Sequence, residues 1–221
     1  MKGKPDLYEL INIAALLLFI FVKRKNKEYS TFGIFLFYVV ICESVIPPFL
    51  KSGTTERILF ISLYATICTF YYQYFFLDLL RNRPYYNIHK WIFIGFFLFR
   101  FVDYSFIQKE GYHSVQYMLG MVYVFYLFFT YAYYIIVKDP FRPLREFPGI
   151  WMGIGVILFF VAVFPLIIFL DFWVPNNQYN KPYHFLMHLG NILLSSGYLL
   201  MVWFIPSQGK TADPLETQTN Q

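Results

Sequence analysis

Apolar runs of roughly 17 to 25 residues recur along this chain from end to end, and that is the length an α-helix needs to cross about 30 Å of hydrocarbon. A backbone inside lipid must satisfy every N–H and C=O internally, so such runs admit helices and little else. With 58% hydrophobic and 14% charged residues in 221, the chain has far more apolar surface than a soluble globule of this size can hide. The expectation is an all-α polytopic membrane protein. Its seven spans fall at 7–22, 31–50, 58–80, 91–107, 113–137, 149–170 and 185–205, forming one transmembrane bundle over 1–205 and leaving a polar, disordered cytoplasmic tail at 206–221. The first span is the weakest. Its sixteen residues rise only about 24 Å, so a six-span alternative with an interfacial first helix stays open. Pro5, Asp6, Glu9 and Asn12 interrupt its apolar run, and no small-residue cleavage motif follows, so it reads as a retained helix and not as a leader.

Orientation follows from the bias of Lys and Arg toward cytoplasmic connections. Connections 23–30, 81–90 and 138–148 carry Lys23, Arg24, Lys25, Lys27, Arg81, Arg83, Lys90, Lys138, Arg142 and Arg145, and all three fall on one face. The opposite connections are less basic, which places the N-terminus outside and the C-terminus in the cytoplasm of an inner-membrane protein. The net charge of +5 is thus a topology signal, and the chain lacks the basic soluble surface that nucleic acid requires. The three basic connections are the surface a cytoplasmic signalling partner would meet, the last of them stiffened by three prolines in "VKDPFRPLREFPG". Membrane lipids are the other expected partner, and oligomeric state is not legible. Cys42 and Cys68 lie in apolar runs and read as small buried hydrophobes. Gly149 and Gly153 form a small-xxx-small pair suited to close helix packing, and Pro165 interrupts the hydrogen-bond ladder of the same span. Aromatic runs such as "TFYYQYFF" and "VYVFYLFFTYAYY" surround their helices and must face inward as well as outward.

The side chains that do not belong in lipid carry the functional signal. An ionised group at a helix centre costs about 2.5–3.5 kcal/mol, so Glu43, Arg100 and Asp103 need partners. Arg100 and Asp103 are three apart on one face, and similar depth makes an interhelical Glu43–Arg100 pair the preferred arrangement. Depth counting places Glu9, Asn12, Glu43, Arg100, Asp103, His113, Gln116, His184, His188 and Asn191 in the outward half, against only Gln73 and Asp78 in the inward half. The expected ligand pocket is therefore outward-facing and polar, built from Glu9, Asn12, Glu43, Arg100, Asp103, Gln116 and Asn191. The stretch "YHFLMHLGN" sets His184 and His188 one helical turn apart, so the two can share a metal. A zinc ion needs at least three protein ligands, and His113, Glu43 or Asp103 would supply the third.

The short polar loops, "PGIWMGIGVILFFVAVFPL" in span six and "LGNILLSSGYLLMVWF" in span seven resemble small bacterial seven-helix membrane proteins that look like the receptor halves of signalling systems. The resemblance covers most of the chain and implies a receptor-like fold. A narrower resemblance is to the seven-helix zinc hydrolases of the alkaline ceramidase and adiponectin-receptor superfamily. His184 and His188 look like the paired histidines of its last helix, and Glu9 and Asn12 in "YELIN" look like its early Glu-x-x-Asn. That resemblance implies zinc on the paired histidines, with a third histidine from span two and an aspartate in the span after it. Here span two reads "YVVICESVIPPFL", without histidine, and Asp78 falls toward the opposite membrane face. The leading expectation is a receptor or sensor module that binds a small or lipophilic ligand and signals through a separate cytoplasmic partner. The alternatives are a zinc-dependent membrane hydrolase and a structural subunit of a membrane complex.

Overall fold

The computed structural model describes residues 6–23, 29–46, 49, 55–102, 114–138, 143–168 and 180–206. Among them the chain is helical apart from short turns and helix ends such as 80–85, with no strand. Seven α-helices follow in order: α1 (Leu7–Leu18), α2 (Ser30–Val40), α3 (Thr55–Leu79), α4 (Tyr86–Val102), α5 (Ser114–Lys138), α6 (Pro148–Ile168) and α7 (Asn180–Phe204). Two of them widen at their C-terminal ends into π-helical turns, Phe19–Lys23 after α1 and Ile41–Val45 after α2. Three stretches are long and apolar enough to cross a membrane: Tyr117–Val137 in α5, Pro148–Leu166 in α6 and Tyr183–Phe204 in α7. The others are shorter or more polar; α4 has 17 residues, and α3 carries Glu56, Arg57 and Asp78.

Local sequence explains several helix ends. Asp6 caps α1, and the Glu9 carboxylate reaches back to accept the Asp6 N–H at 3.2 Å, completing a capping box. Pro148 opens α6, where a missing N–H costs nothing. Pro165 lies inside α6, which continues to Ile168.

Contacts group the chain into two units, each with its own packing. The first comprises Met1–Val45 with Phe141–Gln221 and holds α1, α2, α6 and α7; the second, Ile46–Pro140, holds α3, α4 and α5.

In the first unit α6 and α7 meet backbone to backbone. A Cβ built on Gly155 would lie 2.9 Å from the Gly197 Cα, and one on Gly197 would lie 2.8 Å from the Gly155 Cα. Gly149 and Gly153, the pair expected to allow close packing, are also buried on α6, but the recorded backbone contact falls at Gly155. In lipid the gain from such proximity comes from van der Waals contact and not from water exclusion, so interaxial distance matters more than it does in a soluble bundle. α7 also packs on α1, and α1 on α2. The Phe19 ring fills the space a side chain at Gly33 would occupy, 2.0 Å from the position of a Cβ there. Tyr198 stands edge-on to Phe32 and Phe35, with centroids 6.0 and 5.8 Å apart, and Trp151 stacks on Phe204 at 5.1 Å. Lys23, expected in an open basic loop, is buried and donates to the Ile205 carbonyl at the end of α7, a cation satisfying a helix C-terminus.

In the second unit α3 packs against both α4 and α5. Phe76 meets Phe128 edge-on at 5.6 Å, Phe70 meets Phe93 at 6.2 Å, and Phe96 stacks on Tyr123 at 5.2 Å. The aromatic runs divide by face: Tyr72, Phe75, Phe76, Tyr123 and Phe128 are buried, whereas Tyr74, Tyr126, Phe129 and Tyr133 are exposed. Cys42 and Cys68 are buried and not joined in a disulfide, one in each unit.

The α6–α7 contact sets a prediction. Gly197→Ala places a methyl group against the Gly155 backbone and the Trp151 carbonyl, 3.0 Å away. Overpacking of this kind costs about 1–3 kcal/mol. Thermal unfolding of the purified protein in detergent should show a lowered midpoint, and an unchanged midpoint would mean the two helices do not meet there.

Candidate functional site

Polar side chains at depth gather in each unit. In the first, Asn12 on α1 donates its Nδ2 to a Glu43 carboxylate oxygen at 2.6 Å. Asn12 is 1% exposed, and its Oδ1 has no hydrogen-bond partner. Glu9, one turn earlier, is buried too and engaged in the cap of α1. Glu43 sits in the π-helical turn Ile41–Val45, a geometry that recurs at functional sites because it rotates side chains out of the ordinary helical register. Tyr8 lies in electrostatic reach of Glu43 and Glu9, and its ring centroid is 5.9 Å from that of His188. Asn191, three residues beyond His188, is half-buried on α7.

Of the residues expected to line the outward pocket, Glu9, Asn12, Glu43 and Asn191 lie in this unit, and Tyr8 beside them was not anticipated. Arg100 belongs to the other unit, where it donates to the Thr66 hydroxyl. Asn12 is one partner of Glu43, and Thr66 is one partner of Arg100. Asp103 and His113 lie outside the described residues, as does the side chain of Gln116 in the first turn of α5. His184 and His188 are exposed on α7. Among the described residues no three of His, Cys, Asp and Glu gather at metal-binding distance, and two histidines fall short of a zinc site.

The second unit holds a crevice that sequence reasoning did not anticipate. Ser62, Thr66, Thr69 and Gln73 follow one another at intervals of four, three and four residues, so they line one face of α3. That spacing was available in the sequence, but hydroxyl groups lower hydropathy little and do not stand out in an apolar run. Thr66 and Thr69 donate to the carbonyls of Ser62 and Ala65 at 2.7 and 2.8 Å, which saves their protons from being orphaned and leaves oxygen lone pairs facing the crevice. Gln73 donates to the Gly120 carbonyl on α5 at 3.1 Å. Its Oε1 has no partner although the residue is 1% exposed. Gly120 is required at that crossing, since a Cβ there would lie 2.9 Å from the Thr69 methyl. Phe70 of α3 and Phe96 and Phe99 of α4 also line the crevice. The free volume is about 30 Å³, room for about two water molecules. No carboxylate, histidine or cysteine stands among the described lining residues.

His89, near the start of α4 and ahead of the expected fourth span, was also missed, because in the sequence it reads as part of a basic loop. It is 4% exposed, its Nδ1 has no partner, and its backbone carbonyl accepts the Tyr123 hydroxyl at 2.7 Å. Burial pushes its pKa below the ordinary 6.5.

No protein-family model, curated protein or solved structure matches the chain. Its helices and polar sites define an all-helical, membrane-associated protein, and what it does must be read from its own residues.

Two predictions follow from these contacts. Asn12→Ala and Glu43→Ala, made singly and together, should give non-additive losses of stability, with a coupling of about 0.5–3 kcal/mol expected for directly bonded groups; additive losses would mean that the two do not bond. For His89 the folded pKa lies below the unfolded one, so the neutral ring contributes stability that is complete above pH 6.5 and drains away as pH falls. The unfolding midpoint should drop on acidification from pH 7.5 to pH 5, and His89→Gln should reduce that dependence.

Proposed function

We propose that the protein is a receptor-like membrane module that binds a slender, partly polar ligand in the α3–α4–α5 crevice. The observation that carries this reading is the buried, unpartnered Oε1 of Gln73 at a cleft whose α3 face is polar over three turns. A buried acceptor without a donor costs about 1–3 kcal/mol, and a ligand N–H or O–H removes that penalty. Thr66, which accepts from Arg100, and Gln73 lie about two turns apart on α3. At about 30 Å³ the crevice admits a small group or the polar end of a larger ligand, with an acceptor able to meet Arg100 or a donor able to meet Gln73, and an apolar part against Phe70, Phe96 and Phe99. A lining of hydroxyl, amide and guanidinium groups favours reversible binding over catalysis. On this reading the N-terminus lies outside the inner membrane and the C-terminus inside, and occupancy is passed to a cytoplasmic partner at the basic connections. Arg81, Lys90 and Arg145 are exposed there.

Small primary amides and alcohols are the probes for this reading. A ligand at about 100 times its Kd stabilises the folded state by about 2.7 kcal/mol, a shift visible in thermal unfolding. Gln73→Leu and Arg100→Lys should each weaken binding at least about tenfold, equivalent to ~1.4 kcal/mol. A panel that shifts no midpoint, or binding indifferent to both variants, would overturn the proposal.

A further inference from the structure

The crevice lined by α3, α4 and α5 is one-sided in its hydrogen bonding. Thr66 and Thr69 spend their hydroxyl protons on the carbonyls of Ser62 and Ala65, and Gln73 spends an amide proton on the carbonyl of Gly120. The orientation of that amide is fixed by chemistry, because the Gly120 carbonyl only accepts and so must face Nε2, which leaves Oε1 as the other atom. Oε1 is buried and has no partner. What the two hydroxyls and this oxygen keep for an occupant is lone pairs.

Two of these acceptors converge. Thr69 and Gln73 are four residues apart, one turn along the same face of α3. Both reach Gly120 of α5, where a Cβ would lie 2.9 Å from the Thr69 methyl and 3.4 Å from the Gln73 Nε2. A group that satisfies both residues brings two donors, one for Oε1 and one for the Thr69 hydroxyl oxygen. It is also neutral. The charged residue of the described lining is Arg100, itself a cation, and no carboxylate stands among those lining residues to hold a positive ligand. A charge taken into such surroundings loses its hydration without gaining a counter-ion.

We propose that the group this crevice selects is a neutral primary carboxamide, and that Thr69 and Gln73 set the preference. A carboxamide carries two protons on one nitrogen. An alcohol offers one proton and a ketone none, while an amidinium offers enough and brings a charge with them. The free volume of about 30 Å³ takes this one polar end, and the apolar remainder lies against Phe70, Phe96 and Phe99. The assignment names the ligand class of the site described under Proposed function, and it rests on that reading of the crevice.

Four compounds of nearly one shape test it on the full chain in detergent: butyramide, 2-pentanol, 2-pentanone and butyramidinium. Each is titrated against the unfolding midpoint, with Gln73→Leu run in parallel so that partition into detergent is subtracted. Butyramide should bind at least about tenfold more tightly than 2-pentanone, which leaves the buried acceptor without a donor, with 2-pentanol between them and butyramidinium no better than the ketone. Thr69→Val keeps the shape of the side chain and removes its oxygen, and it should bring butyramide to the affinity of 2-pentanol; Thr69→Ser should keep the wild-type order. Equal binding of butyramide and 2-pentanone that Gln73→Leu abolishes would leave the crevice a binding site and overturn the carboxamide assignment. Tighter binding of butyramidinium, or an order unchanged by Thr69→Val, would overturn it as well. No midpoint shift with any of the four would sink the crevice reading itself, and this assignment with it.

Discussion

Hydrocarbon offers no hydrogen bonds, and most of what this chain does follows from that lack. The backbone turns inward on itself and becomes helical through nearly all of the described residues. The polar side chains that remain must find partners within the protein. Asn12 finds Glu43, Arg100 finds Thr66, and Gln73 and Lys23 find the carbonyls of Gly120 and Ile205. Each bond ties one helix to another, so the demand for satisfaction also positions the helices. The same demand makes the exceptions informative. Oxygen atoms of Asn12 and Gln73, and a ring nitrogen of His89, are buried without partners, and the last two lie beside cavities.

Packing supplies the rest. Because lipid is as apolar as a leucine side chain, helices gain from proximity only through close contact. Glycine at 155 and 197 lets α6 and α7 touch through their backbones, and glycine at 33 makes room for the Phe19 ring. Aromatic rings then fill the wider gaps in edge-on, tilted and offset-stacked pairs, the arrangements their quadrupoles allow. The abundance of phenylalanine and tyrosine is in this sense structural.

The two cavities of the second unit divide α5 between them. Tyr117 and Gly120 face the crevice near one end of its apolar stretch, and Thr130 to Tyr134 face an aromatic groove near the other.

The sequence by itself determined the class of fold, since run length and composition leave the backbone no alternative to helices. It also exposed Glu9, Asn12, Glu43 and Arg100 as groups in need of partners, because ionised and amide side chains are conspicuous in apolar runs. Only the tertiary structure decided which partner each one took. Depth along a helix is legible from residue number, but the neighbour a face meets depends on how helices are arranged, and a single chain carries no marker of that. The spacing within α6 could suggest a close contact at Gly149 and Gly153 and could not say that Gly197 of α7 would meet Gly155. The hydroxyl stripe of α3 and the buried His89 escaped notice for a related reason. Serine, threonine and a loop-like histidine are cheap anywhere, and they acquire chemical meaning only when another helix closes over them.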